Sequence, residues 1–277
     1  MEKDIKALLV FYGITLPVSL IMELILIYTG AGIFMSLLMW VPGITGIICA
    51  NVFYPKQKAI GLTFKIKPLY VIAAFVIPVL YLVPSYLVSW LILKDPTAGL
   101  DVVAGSISGG MAGDAPAWIV ILISLPLLFF ASAMTATGEE LGWRGFAYPV
   151  LQRVYGPKRA VLINSFIWAL WHIPMMIGGV YQAAVNPVYG VISFIVMVML
   201  ISICFCWTRS VSGSVIPAII LHSVHNAIDQ AYLQPLSTDA KVPYLAGEQG
   251  ILTILFAAII SVIVILSWSR KLKASSK

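Results

Sequence analysis

Glu139 and Glu140 stand side by side at the end of a long apolar run, with Arg144 four residues further on. The three histidines of the chain, His172, His222 and His225, fall in later apolar runs, and Asn226 follows His222 by four. Positions four apart share a helix face, so Glu140 can pair with Arg144, while Glu139 is rotated by about 100° and has no local partner. His222, His225 and Asn226 likewise share one broad face. No serine or cysteine nucleophile is well placed among these groups. A carboxylate, histidines and an asparagine suit the activation of water against a carbonyl, which is the chemistry of peptide-bond hydrolysis. In that reading Glu139 is the general base, His172 orients the water, and His222 and Asn226 donate to the developing oxyanion. A second reading uses Glu139, His172 and His222 as ligands of a divalent metal such as zinc, with one position open for water.

Those residues need elements to position them, and composition says which kind. The chain has 277 residues, of which 61% are hydrophobic and 10% charged. With a mean hydropathy of +1.00, it lies outside the range of soluble domains and reads as an integral membrane protein, all-α and polytopic. Eight stretches are long enough to cross a bilayer. They run from Ala7 to Tyr28, Ile33 to Phe53, Leu69 to Leu93, Trp118 to Thr137, Ala160 to Ile177, Val188 to Trp207, Ser214 to Tyr232 and Ile251 to Trp268. Residues 1–277 are expected to form one membrane domain, with the motifs in a core of about 117–229. Buried ionisable groups are costly in such spans and mark interior cavities, so finding every histidine there argues against a merely solvated helix end at Glu139.

Orientation follows from charge. A cytoplasmic start and eight spans put every basic residue except Lys94 and Lys241 in cytoplasmic loops, with Asp95, Asp101, Asp114, Asp239 and Glu248 on the far side. Both termini are then cytoplasmic, in the plasma membrane. The net charge of +6 reflects this topology and not nucleic-acid binding. The first apolar run lacks a small-residue cleavage site and is expected to stay as a span. Cys49, Cys204 and Cys206 lie in apolar runs and read as core residues.

Local features refine the picture. Gly138, Gly142 and Gly145 predict close approach of a second backbone. Prolines at 17, 42, 78, 84, 126, 174 and 217 predict kinked helices that leave room for a cavity. The Gly145–Arg159 segment reads as an amphipathic connection on anionic headgroups, and the Gly-rich stretch from Thr97 to Gly113 as an outer loop. Trp168 and Trp171 read as aromatic packing, Asn164 and Ser165 as interhelical hydrogen-bonding groups, and Asp229 as solvated. Glu23, an acid inside the first span, either meets a polar partner or lines the same cavity.

Three motifs together resemble the CPBP family, the CAAX-processing and bacteriocin-processing intramembrane endopeptidases, also called Abi proteins. They read Glu139-Glu140-Leu-Gly-Trp-Arg144, then Trp168-Ala-Leu-Trp-His172, then His222-Ser-Val-His-Asn226, and the likeness covers about Ala117 to Asp229. Trp168 stands where the family pattern has phenylalanine, a change expected to touch packing or substrate fit more than chemistry. The resemblance implies an eight-helix endopeptidase with a cavity toward cytoplasm and membrane, glutamate-dependent or, in older assignments, a metalloprotease. It maps catalytic positions onto Glu139, Glu140, Arg144, His172, His222 and Asn226. Its implied partners are membrane lipid and a peptide or protein substrate, either a prenylated CAAX tail or a secreted-peptide precursor. The expectation is a glutamate mechanism with no cofactor. Alternatives are a zinc-dependent protease using the same residues, or a non-catalytic scaffold or bacteriocin self-immunity protein. A transporter would predict repeat symmetry, and none is visible.

Overall fold

A computed structural model describes residues 1–55, 59–95, 97, 99–109 and 115–275, with backbone alone at 106 and 270–275. Lys56, Lys58, Asp114 and Lys277, used above for orientation, lie outside the described residues, as do 110–113 of the Gly-rich stretch and the side chains of Arg270, Lys271 and Lys273.

Helices form wherever the apolar runs lie, and no strand occurs among the described residues. The order is α1 (Glu2–Thr29), α2 (Ile33–Phe53), α3 (Pro68–Leu93), the short α4 (Leu100–Ser108) and α5 (Ala117–Glu140). A π-helical segment, Leu141–Ala147, leads into α6 (Tyr148–Ile177) and then α7 (Pro187–Ser212). Then come α8 (Ile216–Asn226), a second π-helical segment at Ala227–Leu233, the single turns α9 (Gln234–Leu236) and α10 (Val242–Leu245), and α11 (Ile251–Ser275).

Local chemistry sets several boundaries. Gly30, at φ 64°, ends α1 in the left-handed conformation that glycine adopts without steric cost. The Asn186 side chain accepts from the amides of Val188 and Tyr189 and so caps α7, whose first residue is Pro187. Gly156, at φ 76° and ψ 166°, breaks α6 just before Pro157.

Among the described residues, six helical runs are long and apolar enough, by length and composition, to cross a membrane: Glu2–Thr29, Ile33–Phe53, Pro68–Leu93, Ala117–Ile177, Pro187–Ser212 and Ile251–Ser269. The count of eight expected above does not follow from that measure. Its fourth and fifth stretches share the single 61-residue run 117–177, and its seventh is divided between α8 and the π-helical turn that follows. Leu122, Leu127, Phe130 and Ile192 are each about 60% exposed, a surface that suits lipid and would aggregate in water. The protein is a polytopic membrane bundle.

Close packing sets the geometry around Glu139. A Cβ on Gly138 would fall 2.6 Å from the Met39 carbonyl oxygen, and one on Gly142 would fall 2.5 Å from the Pro42 backbone. Glycine therefore lets α5 and the π segment lie against α2, as the spacing predicted. Two other expectations are corrected. Phe146, Tyr148, Val150 and Leu151 are buried in the core and do not face headgroups, while the stretch from Thr97 contains helix α4.

Candidate active site

The α5 end delivers Glu139 and Glu140, both buried. Glu140 makes the expected pair: its Oε1 accepts from Arg144 Nη1 at 3.0 Å. The same oxygen accepts from His222 Nδ1 on α8 at 2.9 Å. Arg144 is itself fully buried, donates to Ser202 Oγ at 3.0 Å, and lies 3.9 Å from the Trp168 ring centroid and 4.5 Å from that of Phe205. A guanidinium suits that position, since it offers donors in its plane and a face for aromatic stacking.

Glu139 finds its partner on α6. Trp168 Nε1 donates to Glu139 Oε2 at 2.7 Å, and the Trp168 ring centroid stands 5.6 Å from each of the His172 and His222 rings. Trp168 thus does more than the packing expected of it. Trp171, in contrast, packs edge-on against His172 at 4.7 Å, as expected.

Both motif histidines have one nitrogen assigned by a partner that can only accept. His172 Nδ1 donates to the Trp168 carbonyl at 2.8 Å, and His222 Nδ1 donates to Glu140. Their Nε2 atoms, and the Asn226 amide, make no hydrogen bond to the described residues. His172, His222 and Asn226 meet at one cavity, whose wall also includes Trp168, Tyr181, Phe194 and Phe205. Glu139 and Glu140 lie behind that wall, joined to it through Trp168 and His222.

Two cavity residues were not foreseen. Glu248, counted above as an outer-loop acid, is 4% exposed and reaches the cavity, where His225 also lies. Tyr181 donates to Glu248 Oε2 and its ring centroid is 5.7 Å from that of His172. Asp229, expected to be solvated, is fully buried. Glu23 is buried but absent from this cavity's wall. Ser165 bonds back to its own helix at the Val161 carbonyl, and Asn164 has no side-chain partner, so neither bridges helices to a described residue.

Among the described residues, one ligand atom from each of His225, Asp229 and Glu248 lies within 4.8 Å of the others.

The comparisons agree with the motifs. The profile of the type II CAAX prenyl endopeptidase Rce1-like family matches residues 121–228. The chain is also 29% identical over 210 residues to CAAX prenyl protease 2 of Methanococcus maripaludis, an alignment covering 74% of this chain and 71% of the relative.

Proposed function

We propose that this chain, a member of the CPBP family of CAAX proteases, is an intramembrane endopeptidase that hydrolyses peptide bonds near the C-terminus of membrane-associated substrates. The observation that carries the reading is the convergence of His172, His222 and Asn226 on one cavity, with Glu139 held behind it by Trp168. The substrates are prenylated CAAX-type tails or secreted-peptide precursors, met from the membrane. The protein sits in the plasma membrane with both termini cytoplasmic, as its basic loops suggest.

The mechanism follows from the hydrogen bonds. His172 spends its Nδ1 proton on the Trp168 carbonyl, so Nε2 is an acceptor able to orient a water molecule. Glu139 removes the water's proton as the oxygen attacks the substrate carbonyl carbon. Asn226 donates its free amide to the oxyanion that forms, and His222, protonated at both nitrogens beside the Glu140 carboxylate, adds its Nε2–H. Glu140 holds His222 through Nδ1, and Arg144 offsets the Glu140 charge. The carbon–nitrogen bond then breaks, and Glu139 passes its proton to the departing amine, leaving a carboxylic acid and a free amine.

Asn226 offers the test, by proteolysis of a prenylated peptide by the full chain in detergent. An ionised aspartate can only accept hydrogen bonds. Asn226→Asp is therefore expected to lower turnover about a hundredfold or more, the scale of a lost oxyanion donor. Near-wild-type turnover by that variant would refute the donor role.

A further inference from the structure

Outside the proposed hydrolytic machinery, one cluster is built as a ligand set. His225 and Asp229, four residues apart, project from the α8 end and the π-helical turn after it, and Glu248 comes from the loop before α11. One ligand atom from each lies within 4.8 Å of the others, and all three side chains are buried. Each is steadied by a different tyrosine. His225 Nδ1 meets the Tyr81 hydroxyl at 2.7 Å, Asp229 Oδ1 accepts from Tyr86 at 2.8 Å, and Glu248 Oε2 accepts from Tyr181. The opposite atoms face one another: His225 Nε2 and Glu248 Oε1 are 3.2 Å apart. Gln234 and Gln230 donate to Asp229 Oδ2 and Glu248 Oε1.

Charge gives a second argument. Two carboxylates share this buried space, and among the described residues no lysine or arginine pairs with either; His225 is the only ion-pairing partner, and it serves Glu248. Buried charge of one sign demands a counter-ion or a proton. A route in also exists. Glu248 lines a second cavity, together with Tyr86, Gln234 and Gln249. Gln249, a residue of that wall and 2% exposed, has an Oε1 atom with no hydrogen-bond partner among the described residues.

We propose that His225, Asp229 and Glu248 form a divalent-cation site that fastens the loop carrying Glu248 to α8. One imidazole and two carboxylates make a mixed nitrogen and oxygen set suited to zinc. Ligand atoms at about 2.1 Å from zinc stand roughly 3.4 Å apart, so a small contraction of the cluster brings three ligand atoms into range and leaves the fourth position to water. The tyrosines then act as the outer partners that orient metal ligands, His225 donating from Nδ1 to Tyr81 as Nε2 binds. The role is structural, since the ligands are not the groups assigned to water or oxyanion.

The test is calorimetric titration of zinc chloride into the untagged, chelator-stripped full chain in detergent, with thermal unfolding as a second readout. Wild type is expected to bind one zinc and to unfold at a higher temperature with it. Glu248→Gln and Asp229→Asn are expected to lose both responses, while His172→Ala and His222→Ala keep them. If Asp229→Asn does not fold, Glu248→Gln alone decides. Absence of zinc binding by wild type overturns the proposal, as does binding that survives Glu248→Gln or is lost in His172→Ala. Because the readout is binding, failure here leaves the hydrolytic reading intact.

Discussion

Trp168 Nε1 donates to Glu139 Oε2 at 2.7 Å, so a residue standing where the resembled CPBP pattern has phenylalanine holds the carboxylate on which the proposed chemistry depends. Phenylalanine would keep the ring beneath Arg144 and lose the donor. A hydrogen bond to a charged group contributes about 1.5–3 kcal/mol. Trp168→Phe should therefore lower kcat on the order of tenfold with little change in KM, measured by steady-state peptide cleavage. An unchanged kcat would reduce Trp168 to packing.

Glu140→Gln should destabilise the fold as well as slow turnover. It leaves the fully buried Arg144 without its carboxylate, and breaking a buried pair by removing one partner costs about 3–5 kcal/mol. Thermal unfolding in detergent checks this. An unchanged transition would show that Ser202 and the aromatic faces hold Arg144 unaided.

His172→Ala and His222→Ala should each abolish cleavage, whereas His225→Ala should retain measurable activity. All three line the same cavity, but His225 turns its nitrogens to Tyr81 and Glu248. Equal loss at all three positions would move His225 into the hydrolytic set.

Asp95, in the loop after α3, ties two loop segments together by accepting from the amides of Thr97, Thr238 and Asp239 and from the Thr238 hydroxyl. Burial works against its charge, but these donors outweigh burial and hold its pKa at about 2, below the ordinary 3.8. A depressed carboxylate contributes stability above its unfolded pKa and loses it as pH falls through the folded one. Asp95→Asn should thus unfold at a lower temperature than wild type near neutral pH, the gap closing as pH falls from about 4 towards 2. A gap that persists at pH 2 would contradict this.

What could be read from sequence was what local spacing controls. The Glu140–Arg144 pair is an i,i+4 contact, and the small residues at 138 and 142 announce a close neighbour without naming α2. Trp168 could not be assigned to Glu139, because 29 residues and a turn separate them. Its indole N–H was nonetheless a visible signal: a buried tryptophan usually finds an acceptor. Glu248 is not linked to the site by sequence, because hydropathy marks a loop there but does not say that the loop folds back onto α8. Asp229 was misread for a related reason, since its partner Tyr86 lies 143 positions away. The π-helical segments at Leu141–Ala147 and Ala227–Leu233 follow the Glu139-Glu140 and His222–Asn226 motifs directly. Wide turns of this kind recur at functional sites and have no spacing signature in the chain.

The central claim is that Glu139 is the base that activates water, and one substitution isolates it. Glu139→Gln keeps the shape and can still accept the Trp168 hydrogen bond, but its amide does not take a proton from water. Cleavage of a prenylated CAAX peptide by the full chain in detergent should be undetectable for this variant while its thermal unfolding matches wild type. Wild type stripped with a strong chelator should keep its turnover below its unfolding temperature. Near-wild-type cleavage by Glu139→Gln, or loss of wild-type turnover on chelation with full recovery on adding zinc, would contradict the account.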